Sequence, residues 1–223
     1  CSASLFCLRK AITYEMAIRR QNKEAEQKEI TRSDSLEDIV EKITYKNIMS
    51  LEETKNLLDT ETLEKCVELV RGARMVLLFG MGASLCAAKD AYLKFLRLNK
   101  PCVINEDWHS QLLQARNTSR EDLGIVISYS GSTVEVIECM KAMRENHTPI
   151  IGCISSPVSE LADYKLYTTA NESTFRTGAM SSRISQLNII DILYTAFANR
   201  EYERCLEQLA RTHIRKPPLT PKA

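Results

Sequence analysis

Two short segments carry residues whose types and spacing suit anion chemistry. The first is Gly80-Met81-Gly82-Ala83-Ser84, which follows the apolar run Met75-Val76-Leu77-Leu78-Phe79 and precedes a helical pattern. A strand that stops at glycine and turns into a helix offers unpaired N–H groups and the positive end of a helix dipole. Gly80 and Gly82 let the backbone turn tightly and approach a ligand, Ala83 lies in the same turn, and Ser84 adds a hydroxyl donor. The second segment is Ser128-Tyr129-Ser130-Gly131-Ser132-Thr133, after the apolar run Leu123-Gly124-Ile125-Val126-Ile127. Four small hydroxyl side chains and a glycine make a donor-rich cradle, and hydroxyls reach phosphate oxygens without bringing a permanent charge. Two cradles at strand ends suit one small phosphorylated molecule gripped between them.

Other chemistries compete for these residues. A dinucleotide fingerprint Gly-x-Gly-x-x-Gly needs a third glycine where Leu85 stands. Glu106 and Asp107 do follow the next strand, where an acid that binds ribose could sit. Isomerisation of a sugar phosphate needs a general base near the sugar carbons. Candidates are Glu106, Asp107, His109, Glu135 and Glu172, with His109 just past the second strand. No carboxylate pair or metal-ligand spacing stands out, so no metal and no cofactor is expected, and a binding module is favoured over an enzyme.

The elements that position these loops can be read from periodicity. Apolar runs at Met75–Phe79, Pro101–Ile104, Leu123–Ile127 and Ile150–Ile154, and a weaker one at Lys165–Tyr167, alternate with helical patterns at 84–98, 108–116, 133–146 and 157–163. Continuous apolar strands between helices predict a parallel sheet covered on both faces, an α/β sandwich. Ahead of it, Ser35 caps a helix with Leu36, Ile39, Val40, Ile43 and Ile48 as its apolar positions. Asp59 or Thr60 starts another, which ends at Gly72. The strongest helical pattern, 181–199, is apolar around much of its circumference (Ile184, Leu187, Ile189, Ile190, Ile192, Leu193, Ala196, Phe197) and is expected to be buried within the domain or against a second subunit.

The chain has 223 residues, 44% hydrophobic and 26% charged, with a formal net charge of +1. That balance excludes a whole-surface nucleic-acid binder, although residues 1–32 carry seven Lys or Arg against four Glu. Only seven residues are glycine, where ordinary usage gives about 15, so flexible and collagen-like classes are excluded. None of the eight cysteines forms a Cys-x-x-Cys pair, and most sit in apolar stretches. They read as reduced core residues, which fits the cytoplasm. No apolar run approaches the roughly 20 residues that span a bilayer, and no stretch reads as a signal peptide, so no membrane partner is expected. The sequence begins at Cys1 rather than Met, as expected for a piece of a longer protein. Residues 21–34 read as a linker, and Lys216 onward, with three prolines in six residues, as a disordered end.

The motifs Gly-x-Gly-x-Ser and, after the third strand, Ser-x-Ser-Gly-x-Thr resemble those of the SIS (sugar isomerase) domain, a binder of phosphosugars. Downstream, Ser155-Ser156-Pro157, Asn171-Glu172-Ser173-Thr174-Phe175-Arg176, Ser181-Ser182-Arg183-Ile184-Ser185-Gln186-Leu187 and Asp191-Ile192-Leu193-Tyr194 are similar to the RpiR/MurR-type transcription regulators. Those have an N-terminal helix-turn-helix, a linker and a C-terminal SIS domain. The resemblance implies a three-layer sandwich with a five-stranded parallel sheet in flavodoxin-like order, preceded by helices. It implies residues 1–20 as a remnant of the DNA-binding domain, 21–34 as linker, 35–200 as the SIS domain and 201–223 as a tail. Ser84, Ser128, Ser130 and Thr133 become the expected phosphate ligands, assisted by the backbone of Tyr129 and Gly131. Glu172 becomes a contact to sugar or partner subunit. The implied partners are a sugar-phosphate effector, DNA through the N-terminal domain of the full protein, and a second copy in a homodimer or homotetramer.

Overall fold

The computed structural model describes residues 29–155, 160–169 and 179–214. Five parallel strands, β1 (Val76–Gly80), β2 (Cys102–Ile104), β3 (Leu123–Ser128), β4 (Ile150–Ile154) and β5 (Tyr164–Tyr167), form one sheet in the order β2-β1-β3-β4-β5. The helices are α1 (Leu36–Leu57), α2 (Thr60–Gly72), α3 (Ala83–Arg97), α4 (Trp108–Arg116), α5 (Val134–Glu145), α6 (Met180–Arg200) and α7 (Tyr202–Arg211). This is the expected α/β sandwich, with two helices before the first strand.

Alternation along the strands divides the interior into two layers. Val76, Leu78, Ile125, Ile127, Ile151 and Cys153 face α2, α3 and α6. Leu77, Phe79, Val126 and Ile150 face α5. The first layer is closed by Phe95, whose ring meets Tyr194 and Phe197 edge-on at 6.4 and 6.0 Å. In the second layer α5 lies so close to β3 that a Cβ on Gly124 would fall onto the Met143 side chain.

The strand order has a functional consequence. From β1 the chain crosses to β2 on one side, and from β3 to β4 on the other. Helices α3 and α5 therefore leave adjacent strand ends toward opposite faces, and a crevice opens between β1 and β3 at their carboxyl ends.

Several local expectations are corrected. The apolar stripe of α1 is only partly covered: Leu36, Val40 and Ile48 are exposed and Ile39 and Ile43 half-buried, while Lys46, Ser50, Thr54 and Leu57 in the second half of the helix are buried. At about 100° per residue, Leu36 and Ile43 lie on the same face as Ser50 and Thr54, so that face is covered along the second half of the helix and open at its start. Likewise the first half of α6 buries Ser181, Ser182, Ser185 and Gln186, and only the second half buries apolar residues, Ile189, Ile190, Leu193 and Phe197. Ile184 and Leu187 are half-buried. Gly72 closes α2 without a left-handed turn, the cap being Ala73 at φ −62°. Residues 202–211 of the expected tail form α7, anchored by buried Cys205. The described part of 157–163, residues 160–163, is not helical, and residues 156–159 lie outside the described residues. Cys86 is exposed, because it falls on the outer face of α3 beside buried Ala87 and Ala88. Cys66, Cys139, Cys153 and Cys205 are buried, and burial pushes the Cys66 thiol up to about 12. Cys1 and Cys7, with the expected helix-turn-helix remnant, lie outside the described residues.

Candidate functional site

The loop after β1 is built by one glycine that cannot carry a side chain and another that takes a left-handed backbone. A Cβ on Gly80 would meet the Ser84 backbone carbonyl at 3.0 Å. Gly82 caps α3 with φ +57°. Gln111, on α4 and 2% exposed, clamps this loop from below. Its Nε2 donates to the Gly80 and Asn105 carbonyls, both at 3.0 Å, and its Oε1 accepts from the Gly80 N–H at 3.3 Å. One buried amide thus ties the ends of β1 and β2 together.

The loop after β3 closes on itself through hydroxyls. Ser128 Oγ accepts from the Gly131 N–H at 3.2 Å, and Ser130 Oγ from the Ser132 N–H at 3.2 Å. The Tyr129 carbonyl accepts from the Ser155 N–H at 3.1 Å and from the Ser155 hydroxyl. Thr133 is the N-cap residue of α5, and its side chain makes no capping bond.

Between the loops lies a pocket of about 390 Å³. Ala83 and Ser84 line it from α3, and Ser128, Tyr129, Ser130 and Thr133 from the β3 loop. Met81 and Ile127 add apolar surface, and Ala179 and Ser182 close it from α6. Three helix N-termini, those of α3, α5 and α6, therefore meet at one cavity, and each brings a partial positive charge. No acidic residue stands in the first turn of α3 or α6 to cancel it.

Three of the hydroxyls already accept a bond. Ser84 Oγ accepts from Gln186 Nε2 at 3.0 Å, as Ser128 and Ser130 accept from backbone N–H groups. A hydroxyl that already accepts keeps its own proton to give. The described lining has no ionisable side chain other than the Tyr129 phenol. The arrangement can hold a dianionic phosphate by neutral donors and helix dipoles alone.

The structure thus brings Ala83, Ser84, Ser128, Tyr129, Ser130 and Thr133 to one cavity. Gly82 and Gly131 shape the loops without lining it, and the Gly131 N–H is turned onto Ser128 rather than toward the cavity. His109 is exposed on α4 and is not among the lining residues. Glu106 pairs with Lys89 at 2.8 Å. Asp107 caps α4, and hydrogen bonds from the Ser110 side chain and backbone hold its carboxyl below the usual range. Glu135 lies in the first turn of α5 outside the lining. Glu172 lies outside the described residues. Sequence reading missed Ala179, Ser182, Gln186 and Gln111 as parts of the site.

Residues 69–196 match the family model of the SIS domain. A protein of Caldanaerobacter subterraneus named an uncharacterized HTH-type transcriptional regulator is 36% identical over 186 residues, which cover 82% of this chain and 66% of that protein. The chain thus spans just under two thirds of that relative's length. Among solved structures, the Vibrio vulnificus NanR protein complexed with ManNAc-6P superposes with a TM-score of 0.73 at 26% identity, over 81% of this chain and 68% of that one. The sugar isomerase domain of an RpiR transcription factor from Sphaerobacter thermophilus gives 0.69 at 22%, over 76% and 94%. A putative sugar-phosphate isomerase from Listeria monocytogenes gives 0.71 at 19%, over 81% and 99%. The last two show likeness of fold. No helix among the described residues is long and apolar enough to cross a membrane.

Proposed function

From the premise that this chain belongs to the SIS-domain family and is related to HTH-type transcriptional regulators, we propose that it is the effector-binding part of a cytoplasmic regulator that responds to a sugar phosphate. Ser84, Ser128, Ser130 and Thr133 hold the phosphate. The observation that carries this reading is the set of hydroxyls lining a cavity where three helix N-termini meet, those of Ser84, Ser128 and Ser130 each already accepting a bond from the chain. The NanR likeness makes ManNAc-6P the first compound to try within a phosphosugar panel. DNA is bound through an N-terminal helix-turn-helix domain of the full protein. A second copy of the chain completes a homodimer or homotetramer, and the exposed Leu36, Val40 and Ile48 of α1 offer it an apolar stripe.

A sensor fits the lining better than an enzyme does, since the described lining holds no carboxylate or imidazole and general base catalysis needs one within hydrogen-bond reach. The fold shared with an isomerase supports the second reading, aldose–ketose isomerisation of a sugar phosphate. Calorimetric titration with the panel decides. One member binds without being converted, and Ser130→Ala with Thr133→Ala abolishes the heat. Unchanged binding in that double variant overturns the phosphate assignment, and turnover of a bound sugar phosphate overturns the sensor.

A further inference from the structure

Helix α6 presents two adjacent buried faces to two different parts of the molecule. Ser182 and Gln186, one turn apart, serve the pocket: Ser182 lines it and Gln186 donates to Ser84. Ser181 and Ser185, each one residue earlier, serve α1. Ser181 Oγ donates to Asn47 Oδ1 at 3.1 Å, and Ser185 Oγ donates to the Ser50 carbonyl at 3.4 Å. All four side chains are buried, none more than 5% exposed. The seam continues past α6. The Thr169 hydroxyl donates to the same Ser50 carbonyl at 3.3 Å, and its N–H donates to Thr54 Oγ1 at 3.1 Å. A buried helix interface made largely of hydroxyls departs from ordinary apolar core packing.

We infer that α1 and the pocket regulate one another through the first two turns of α6. The claim rests on the phosphate reading of the pocket and adds to it the route by which occupancy is passed on. Hydrogen bonds at 3.1–3.4 Å are directional and fail with a displacement of about 1 Å, where apolar contacts would slide. Ser185 also has a second arrangement at hand, because a serine inside a helix can turn to the carbonyl four residues back, here that of Ser181. A phosphate drawn toward the α6 N-terminus through Ser182 and Ser84 shifts that choice, and α1 follows. Backbone strain sits at the same spot. Ala179, which opens α6 and lines the pocket, has φ +47° and ψ +48°, a left-handed conformation costly for a residue with a Cβ. Helix α1 is the first described helix after residues 1–34, so it is the element through which a preceding domain would be addressed. Coupling of this kind is reciprocal: whatever holds α1 changes ligand affinity by the same factor.

The test uses the chain as it stands, with ManNAc-6P and then the phosphosugar panel as probes. Hydrogen exchange over residues 36–57 is followed with and without the bound compound. In the wild type, binding alters exchange there by at least about threefold; in Asn47→Ala with Ser185→Ala the compound still binds by calorimetry, and exchange over α1 no longer responds. Binding without any response in wild-type α1, or an equal response in the double variant, overturns the relay. A second arm needs no ligand and keeps the relay testable if no sugar phosphate binds, an outcome that would count against the pocket reading alone. Gln186→Ala and Asn47→Ala, whose side chains share no hydrogen bond, are combined in a urea-unfolding cycle, with Ser185→Ala as a milder substitute for Asn47→Ala. The unfolding constants are expected to depart from additivity by about fivefold or more, and additivity within about twofold overturns the relay.

Discussion

Gln111→Met puts the architecture of the β1–α3 loop to a direct test. Methionine nearly matches glutamine in length and fills the same space, so the cavity term is small. The polar loss is not small. Gln111 is the side chain that accepts from the Gly80 N–H and donates to the Gly80 and Asn105 carbonyls, all in a region where Gly80 itself is buried. Leaving a buried polar group unpaired costs about 1–3 kcal/mol, and the carbonyl of half-buried Asn105 can turn to water, so a total near 3 kcal/mol is expected. For a chain of this size each kcal/mol lowers Tm by roughly 2–4 °C, so a fall of about 6–12 °C should appear in a thermal melt. The β1–α3 turn must then be re-ordered on binding, and holding one further residue costs about 1–2 kcal/mol, which weakens sugar-phosphate affinity by about tenfold. Calorimetric titration at a temperature where the variant is fully folded separates the two effects. A stability loss under about 1 kcal/mol together with unchanged affinity would refute the reasoning.

Three further outcomes follow from the same geometry. Because the described lining relies on hydroxyls and helix dipoles rather than Lys or Arg, affinity for the phosphosugar should change by less than about threefold between roughly 0.05 and 0.5 M salt, and a steep salt dependence measured by titration would count against a charge-free pocket. Gly124→Ala should cost about 1–3 kcal/mol in urea unfolding through the clash with Met143, and Met143→Ala in the same chain should recover part of the loss. At the start of α1, hydrogen bonds from Lys42 and Thr31 hold the Asp34 carboxyl at about 2, below its ordinary 3.8. A lowered folded value means that the stabilisation is complete above pH 3.8 and is lost as pH falls toward 2, so exchange over 31–42 should rise in that window and not at neutral pH.

Much of the site was legible in the sequence because it is local. Gly80, Gly82 and Ser84 lie within one turn, as do Ser128, Ser130 and Thr133, so strand-end chemistry could be read without knowing the fold. The partners that hold those residues come from far along the chain. Gln111 follows Gly80 by 31 residues and Gln186 follows Ser84 by 102, and no spacing rule predicts which buried glutamine will clamp which loop. The same limit explains α1. Leu36 and Ile43 share a face with Ser50 and Thr54, yet only the second half of that face is buried, where Thr169 and Ser185 meet it, and periodicity cannot say which length of a face is covered. In α6 the apolar pattern held where the neighbour is Phe95 and failed where the neighbours are α1 and the pocket. The alternating strands were readable because burial on both faces leaves little freedom of composition.

The three converging helix ends also divide the labour of recognition in a way that bears on how such a protein could change its ligand. The end proposed to hold the anion is made of helix N-termini that the sheet order brings together whatever the side chains are, with only small hydroxyls added. The walls beside it, where Met81, Ile127 and Ala179 stand, take no part in those bonds. Substitutions there can reshape the room left for the rest of the molecule without touching the grip on its charge. On the proposed phosphate reading, new specificities are reachable by single steps, each from a form that keeps the grip on the common head group.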